Sequence, residues 1–423
     1  METIIEDAIQ IRRRLHRRPE EGWTEFETSY LVAERLKELG LEVKLGLEVI
    51  DPAYVMGRSQ KLVEAAIKRA SSAGVPQSFI DSTSGYTGVV GILQTGREGP
   101  VTAMRFDMDC VLVEESADLT HVPAAAGFRS EFPGAMHACG HDGHTALGLA
   151  LAAWASANKD KLKGTLKFIF QPAEEGTRGA APMAARGVVD DVDWFFGGHV
   201  GMLCQSGQIG ICRAGFLATT KIDITFEGRP SHAGANPEKG RSALSAACAA
   251  DMMIQGISRH CGGDSRIAIG RLVAGEGRNV TPVHALMQLE TRGQTEEVNA
   301  FLVKNVQNMV KGAAEAYEVE YAIKKAGEAT TLTTTPLGVA LLKECADETV
   351  GPRNVRLIDH IGGSEDVTIF MKRAADHGAQ TAFFMWGCDQ DGHHKGTFDL
   401  QDTKNLPTAI AFGVKVLTKT NSL

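Results

Sequence analysis

Scattered along this chain are side chains of the types that can bind divalent cations. The densest group is His137-Ala138-Cys139-Gly140-His141-Asp142-Gly143-His144. Others are the carboxylate pair in Asp107-Met108-Asp109, the run Gln171-Pro172-Ala173-Glu174-Glu175-Gly176, the dipeptide Gly198-His199, and His393-His394. Thiolate, imidazole and carboxylate together suit a borderline ion such as Zn²⁺, and Mn²⁺ or Co²⁺ also fit. About five ligands exceed what one catalytic ion needs and would serve two ions a few ångströms apart. Each group alone has a bland reading: a polar turn, a solvated Glu-Glu pair, a histidine that does nothing. Their combination is hard to obtain by accident. A zinc ribbon would need Cys-x-x-Cys pairs, and neither the Gly-x-Ser-x-Gly signature nor a phosphate loop is present.

The elements around these residues explain how they could meet. Val89–Leu93, Val101–Phe106, Leu166–Phe170, Trp194–Phe196 and Thr381–Trp386 are short apolar runs bounded by glycine or charge. Spaced by helical stretches such as His144–Ala157, they predict a largely parallel sheet covered by helices on both faces. Several of these strands run straight into a candidate ligand. Ligands of open α/β sheets bind beyond the carboxyl ends of the strands, so distant residues would converge there.

Two helices open the chain, about Ile4–Arg18 and a second that stops at Gly40. The polar stretch of about 51–84, with one helical patch, reads as an insertion or flap. From about 217 to 328 the character changes. Strand Thr219–Phe226, helix Ala243–Ile257, strands Arg266–Leu272 and His284–Glu290, helix Glu296–Tyr317 and strand Glu318–Ile323 follow the order β-α-β-β-α-β. That is the order of a ferredoxin-like unit, expected here as an α+β lid or dimerisation domain inserted between residues 1–216 and 329–423 of an α/β catalytic domain.

Composition narrows the function. A chain of 423 residues with 43% hydrophobic residues is long enough for two cores. The net charge of −8 supplies no basic field for nucleic acid or an anionic membrane. The Arg-rich start is followed by no apolar core of a signal peptide, and the longest apolar stretch, Ala146–Ala157, is too short to span a bilayer. Eight cysteines without framework spacing predict reduced thiols and a cytoplasmic address.

Residues 136–144, 171–176 and 198–199 resemble the amidohydrolase branch of the aminoacylase and carboxypeptidase family of di-metal peptidases. Within that family, the stretch at 51–84, Gly85-Tyr86-Thr87-Gly88 and Gly392-His393-His394 look most like the p-aminobenzoyl-glutamate hydrolase A-subunit group. The resemblance covers nearly the whole chain. It implies metal ligands Cys139, His141, Glu175, His199 and His394, with His393 the competitor for the last place, and Glu174 as general base. Adjacent residues of an extended segment point opposite ways, so Glu174 and Glu175 are expected to differ in role. The family's peptidases carry His-x-Asp where this chain has Asp107-Met108-Asp109. No imidazole is available there, and Asp109 is expected to orient a ligand.

In the inserted domain the resemblance gives His232 a place in a partner subunit's active site, and Asn279 and Arg292 contacts with substrate. Gly363 lies in a loop, 362–366, that faces the pocket in the family; Asp366 could instead cap the following helix. The implied reaction is hydrolysis of an N-acyl, and more narrowly N-aroyl, amino acid with two divalent ions, Mn²⁺ or Zn²⁺. The implied assembly is a homodimer through the lid domain, or a pairing with a paralogous second subunit. A general N-acyl-amino-acid or hippurate-type hydrolase, and a non-catalytic subunit of the same fold, are the alternatives.

Overall fold

The computed structural model describes residues 1–390 and 392–422. Its strands are β1 (Glu42–Leu45), β2 (Val89–Gln94), β3 (Val101–Asp107), β4 (Thr165–Gln171), β5 (Trp194–Val200), β6 (Ile209–Cys212), β7 (Ala218–Glu227), β8 (Ser265–Ala274), β9 (His284–Gly293), β10 (Glu320–Ala329), β11 (Val355–Ile358) and β12 (Gln380–Trp386). The chain forms two compact units. The first comprises Met1–Gly215, Leu332–Ile361 and Asp366–Leu423, and the second Phe216–Thr331 with Gly362–Glu365.

The first unit is built on an 8-stranded sheet of order β1-β2-β4-β3-β5-β12-β6-β11. Its centre is parallel, β4 on β3, β3 on β5 and β5 on β12. Antiparallel pairings flank that centre, β1 with β2, β2 with β4 and β12 with β6, so the sheet is mixed. The central strands read as apolar runs because both their faces are covered: Ala103, Met104, Phe106, Phe168, Ile169 and Phe170 are all buried. The helix predicted from His144 starts one turn earlier, at His141, and packs on β3. Gly140 permits that start. Its φ is +85°, and a Cβ there would stand 2.4 Å from Val200.

The stretch 51–84 is no flap. It forms helices Gln60–Ser72 and Gln77–Thr83, and Val63, Ala66, Ala70, Phe79 and Ile80 are buried. Three or four apolar residues on one helical face, diluted by charge, gave too weak a pattern for a packed element to be expected. Trp23 reaches into this region and donates its indole N–H to the Met56 carbonyl at 2.8 Å.

The second unit is a 4-stranded sheet of order β10-β7-β9-β8, antiparallel throughout. Helices Ala243–Gln255 and Glu296–Tyr317 complete the β-α-β-β-α-β sequence. Both start on a side-chain cap, Ser242 accepting the Ser245 N–H at 3.1 Å and Thr295 accepting the Val298 N–H at 3.2 Å. Ile222, Ile224 and Phe226 of β7 pack with Ala246, Ala250, Val306 and Val310 of those helices in its core.

Candidate di-metal active site

Four neighbouring strands of the parallel centre deliver the candidate ligands at their carboxyl ends. β3 ends at Asp107 and leads to Asp109, β4 leads to Glu174 and Glu175, β5 carries His199 at its end, and β12 leads into the loop with His393 and His394. The helix starting at His141 follows Cys139 directly. Donor atoms of Cys139, His141 and His199 lie within 4.8 Å of one another, and so do those of Cys139, Glu175 and His394. Cys139 is common to both triads. A third group joins His141 with Glu174 and Glu175.

The histidines are oriented for a cation. His141 donates from Nδ1 to the Asp109 carbonyl at 3.0 Å, and His199 from Nδ1 to the Val200 carbonyl at 2.8 Å. Each therefore turns Nε2 inward, the nitrogen through which it would hold a cation. Nε2 of His199 lies 3.4 Å from the Cys139 sulfur, and Nε2 of His141 is buried without a hydrogen-bond partner. Burial opposes charge on His141, but the carboxylates of Asp107, Asp109 and Glu175 push its pKa up to about 10. Such a negative pocket around an orphaned nitrogen calls for positive charge, and a soft-to-borderline donor set of sulfur, imidazole and carboxylate fits divalent ions there.

His394 faces the cluster, with Nε2 3.1 Å from Glu175. His393 is otherwise engaged: Nε2 donates to the Val200 carbonyl at 3.1 Å and Nδ1 faces the Gln390 amide at 3.3 Å. His144 is also spoken for, lying between Asp107 and the Val200 N–H. Asp107, His141 and His144 are close enough to resemble a metal triad, but those bonds leave His144 no free lone pair.

The Glu174-Glu175 segment is a turn, not the extended segment assumed from sequence, and Ala173 before it has φ +52°. The two carboxylates consequently do not point to opposite sides; both join the group around His141. Asp109 fixes the turn, accepting the Glu174 N–H at 3.0 Å and the Glu175 N–H at 2.9 Å. Asp366 makes no side-chain cap to the helix it precedes. It accepts instead from Arg105 (3.0 Å), Gln171 (2.8 and 3.0 Å), and the Gly179 and Ala180 N–H groups. Sequence reasoning overlooked Arg105, although a lone arginine between Met104 and Phe106 in a buried strand was a readable signal.

In the second unit, Ala233 donates its N–H to the Asn279 carbonyl at 3.2 Å, bringing the His232 and Asn279 segments together. Nδ1 of His232 accepts from the Gly234 and Ala235 N–H groups at 3.2 and 3.1 Å, so Nε2 carries the proton and is a donor. Arg292 is paired with Glu290 through Nε (2.8 Å) and Nη2 (3.2 Å). The Gly363 carbonyl accepts the Leu217 N–H at 2.9 Å.

The fold and this cluster are those of a metallopeptidase-like hydrolase: the chain belongs to peptidase family M20/M25/M40, whose model matches residues 103–419. Among its relatives, a p-aminobenzoyl-glutamate hydrolase A-subunit homolog of Haemophilus influenzae is 40% identical over 96% of each chain. An indole-3-acetyl-aspartic acid hydrolase of Enterobacter agglomerans is 41% identical over 99% of this chain and 96% of its own. The crystal structure of an aminobenzoyl-glutamate utilization protein from Klebsiella pneumoniae superposes with a TM-score of 0.83 at 36% identity, covering 99% and 96% of the two chains. The protein is a hydrolytic enzyme of this family. No helix among the described residues is long and apolar enough to cross a membrane.

Proposed function

We propose that this chain hydrolyses the amide bond of N-acyl amino acids in which the acyl group is aromatic and the amino acid acidic, p-aminobenzoyl-glutamate being the first candidate. The carrying observation is the pair of donor triads that share Cys139, with Glu174 beside them. The acidic amino acid and aromatic acyl group follow from two relatives at about equal identity, one named for p-aminobenzoyl-glutamate and one for indole-3-acetyl-aspartate. We assign Cys139, His141, Glu175, His199 and His394 as the ligands, and Mn²⁺ or Zn²⁺ as the ions. When bound, two such ions supply Lewis-acid activation of water and of the amide carbonyl.

Glu174 takes the proton of the attacking water and passes it to the leaving nitrogen, a general base and then a general acid. Asp109 holds the backbone under that carboxylate. His232, contributed by a partner copy, donates its Nε2 proton to the developing oxyanion. Arg292 binds the amino-acid carboxylate with Nη1, which Glu290 does not occupy, while Asn279 and Gly363 line the substrate. The partner is a second copy joined along an edge strand of that sheet, β8 or β10, or else a paralogous chain, since the Haemophilus relative is named for one subunit of its enzyme. With none of the eight cysteines in a disulfide, we place the enzyme in the cytoplasm.

The test is a substrate panel with metal-loaded protein: p-aminobenzoyl-glutamate, p-aminobenzoyl-glycine, indole-3-acetyl-aspartate and hippurate. Preference for the acidic amino acids supports the proposal. Equal turnover of the glycine conjugates points to the general hydrolase instead, and no turnover of any member by the lone chain or with a paralogous partner rejects the catalytic reading.

A further inference from the structure

We propose that Glu25 is a positioning residue of the metal centre, holding the turn that aims Glu174 and Glu175. The proposal rests on the assignment of that centre made above. Glu25 precedes the helix Phe26–Glu38 and is fully buried. Its Oε1 accepts the Ala173 N–H at 2.8 Å, and its Oε2 accepts the Thr87 hydroxyl at 2.6 Å. It makes no ion pair with any described lysine or arginine, so salt-bridge formation is not the reason a carboxyl is buried here.

Ala173 is where this bond matters. Its φ of +52° lies in the left-handed region, which is unfavourable for a non-glycine residue, and its N–H is buried. Without Glu25 that N–H would be buried and unpaired. The amides of Ala173, Glu174 and Glu175 are thus taken in succession by Glu25 and by the two oxygens of Asp109. Two buried carboxyls on separate segments clamp three consecutive backbone positions, leaving the side chains of Glu174 and Glu175 to face His141. The segment carrying Glu25 lies tight against the turn: a Cβ at Gly22 would stand 2.9 Å from the Ala173 Cα. Glu25 therefore acts through the backbone, without touching the ligand atoms.

The decisive comparison is between Glu25→Gln and Glu25→Ala. Glutamine keeps an oxygen for the Ala173 N–H, and the Thr87 hydroxyl can turn to accept from its amide. Alanine removes both bonds. Binding of Mn²⁺ and of Zn²⁺ to the metal-free full chain is measured by calorimetry, alongside thermal midpoints and, with the panel substrates, kcat and KM. Glu25→Ala is expected to weaken metal binding about 10-fold or more and to lower kcat similarly with little change in KM, while Glu25→Gln stays within about 3-fold of the parent. Should Glu25→Ala fail to fold, Glu25→Asp, which withdraws the oxygen by one methylene, is expected to show the same loss of metal affinity. Parental metal affinity in the alanine or aspartate variant, or a glutamine variant as impaired as alanine, overturns the proposal. Because metal binding is read without substrate, a parent protein that binds metal but hydrolyses none of the panel counts against the substrate assignment and leaves the role of Glu25 standing.

Discussion

Oδ1 of Asp107 lies 2.5 Å from Nδ1 of His144, where the family's peptidases would carry an imidazole ligand in the place of Asp107. The carboxylate is a structural link here. Its other oxygen accepts from Arg105 at 2.6 Å, and Nε2 of His144 accepts the Val200 N–H at 2.9 Å, next to His199. Burial works against charge on Asp107, but Arg105, His141 and His144 hold it well below the usual carboxylate range. Replacing it with alanine takes from the buried His144 imidazole its carboxylate and from the buried Arg105 guanidinium one of two, Asp366 being the other. Asp107→Ala is expected to lose about 3–5 kcal/mol of stability in urea denaturation. A loss below about 1 kcal/mol would show that the link contributes little to the fold.

Glu174→Gln separates proton transfer from metal binding. The amide fits the same space, so metal content by elemental analysis should match the parent. Turnover should fall by about 10²–10⁴-fold, with KM little changed. Retained turnover at full metal content would remove Glu174 from the role of base.

Away from the metals, Glu115 gives the fold an acid-sensitive joint. It accepts from His16 Nε2 at 2.9 Å, His121 Nε2 at 2.8 Å and the Ser130 N–H at 2.6 Å. Burial pushes its carboxyl up, but the bonds from His121 and His16, the charge of His16 and the Ser130 amide bring it down from 4.5 to about 2. A folded-state value below the unfolded one stabilises the fold above the unfolded value, and the benefit disappears as pH falls towards the folded one. The stability gap between the parent and Glu115→Gln should thus be largest above pH 5, on the order of 3 kcal/mol, and shrink steadily below about pH 4.5. A gap that stays constant from pH 6 to pH 3 would contradict this.

How much of this was written in the sequence differs from element to element. The parallel strands were legible because burial on both faces makes them continuous apolar runs, as in Leu166–Phe170, and the second unit because β7 alternates cleanly. β1, β6 and β11 are only four residues each and went unnoticed. Local motifs brought Cys139, His141, Glu175, His199 and His394 into view, and strand ends explained why they meet. What supports them was hidden, since Glu25 and Asp366 act through contacts with residues far away in the chain. The resemblance ranks His394 above His393, and the hydrogen bonds of His393 to Val200 and Gln390, which no spacing encodes, support that proposed assignment.

The sharing of Cys139 gives the assignment its most exposed consequence. His199 belongs to one donor triad, with Cys139 and His141, whereas Cys139 belongs also to the triad of Glu175 and His394. Because Cys139 would serve both triads, its loss is expected to weaken both sites, while loss of His199 would weaken chiefly one. Cys139→Ala should retain well under one ion per chain after dialysis against metal-free buffer, and His199→Ala about one, against about two for the parent. Stability should follow metal content, because ions that bind only the folded state raise its stability by about 2.7 kcal/mol when present at 100 times the dissociation constant. Chelation should therefore lower the thermal midpoint of the parent and leave that of Cys139→Ala nearly unmoved. Two ions retained by Cys139→Ala, or a parent midpoint indifferent to chelator, would separate the sulfur from the metal centre.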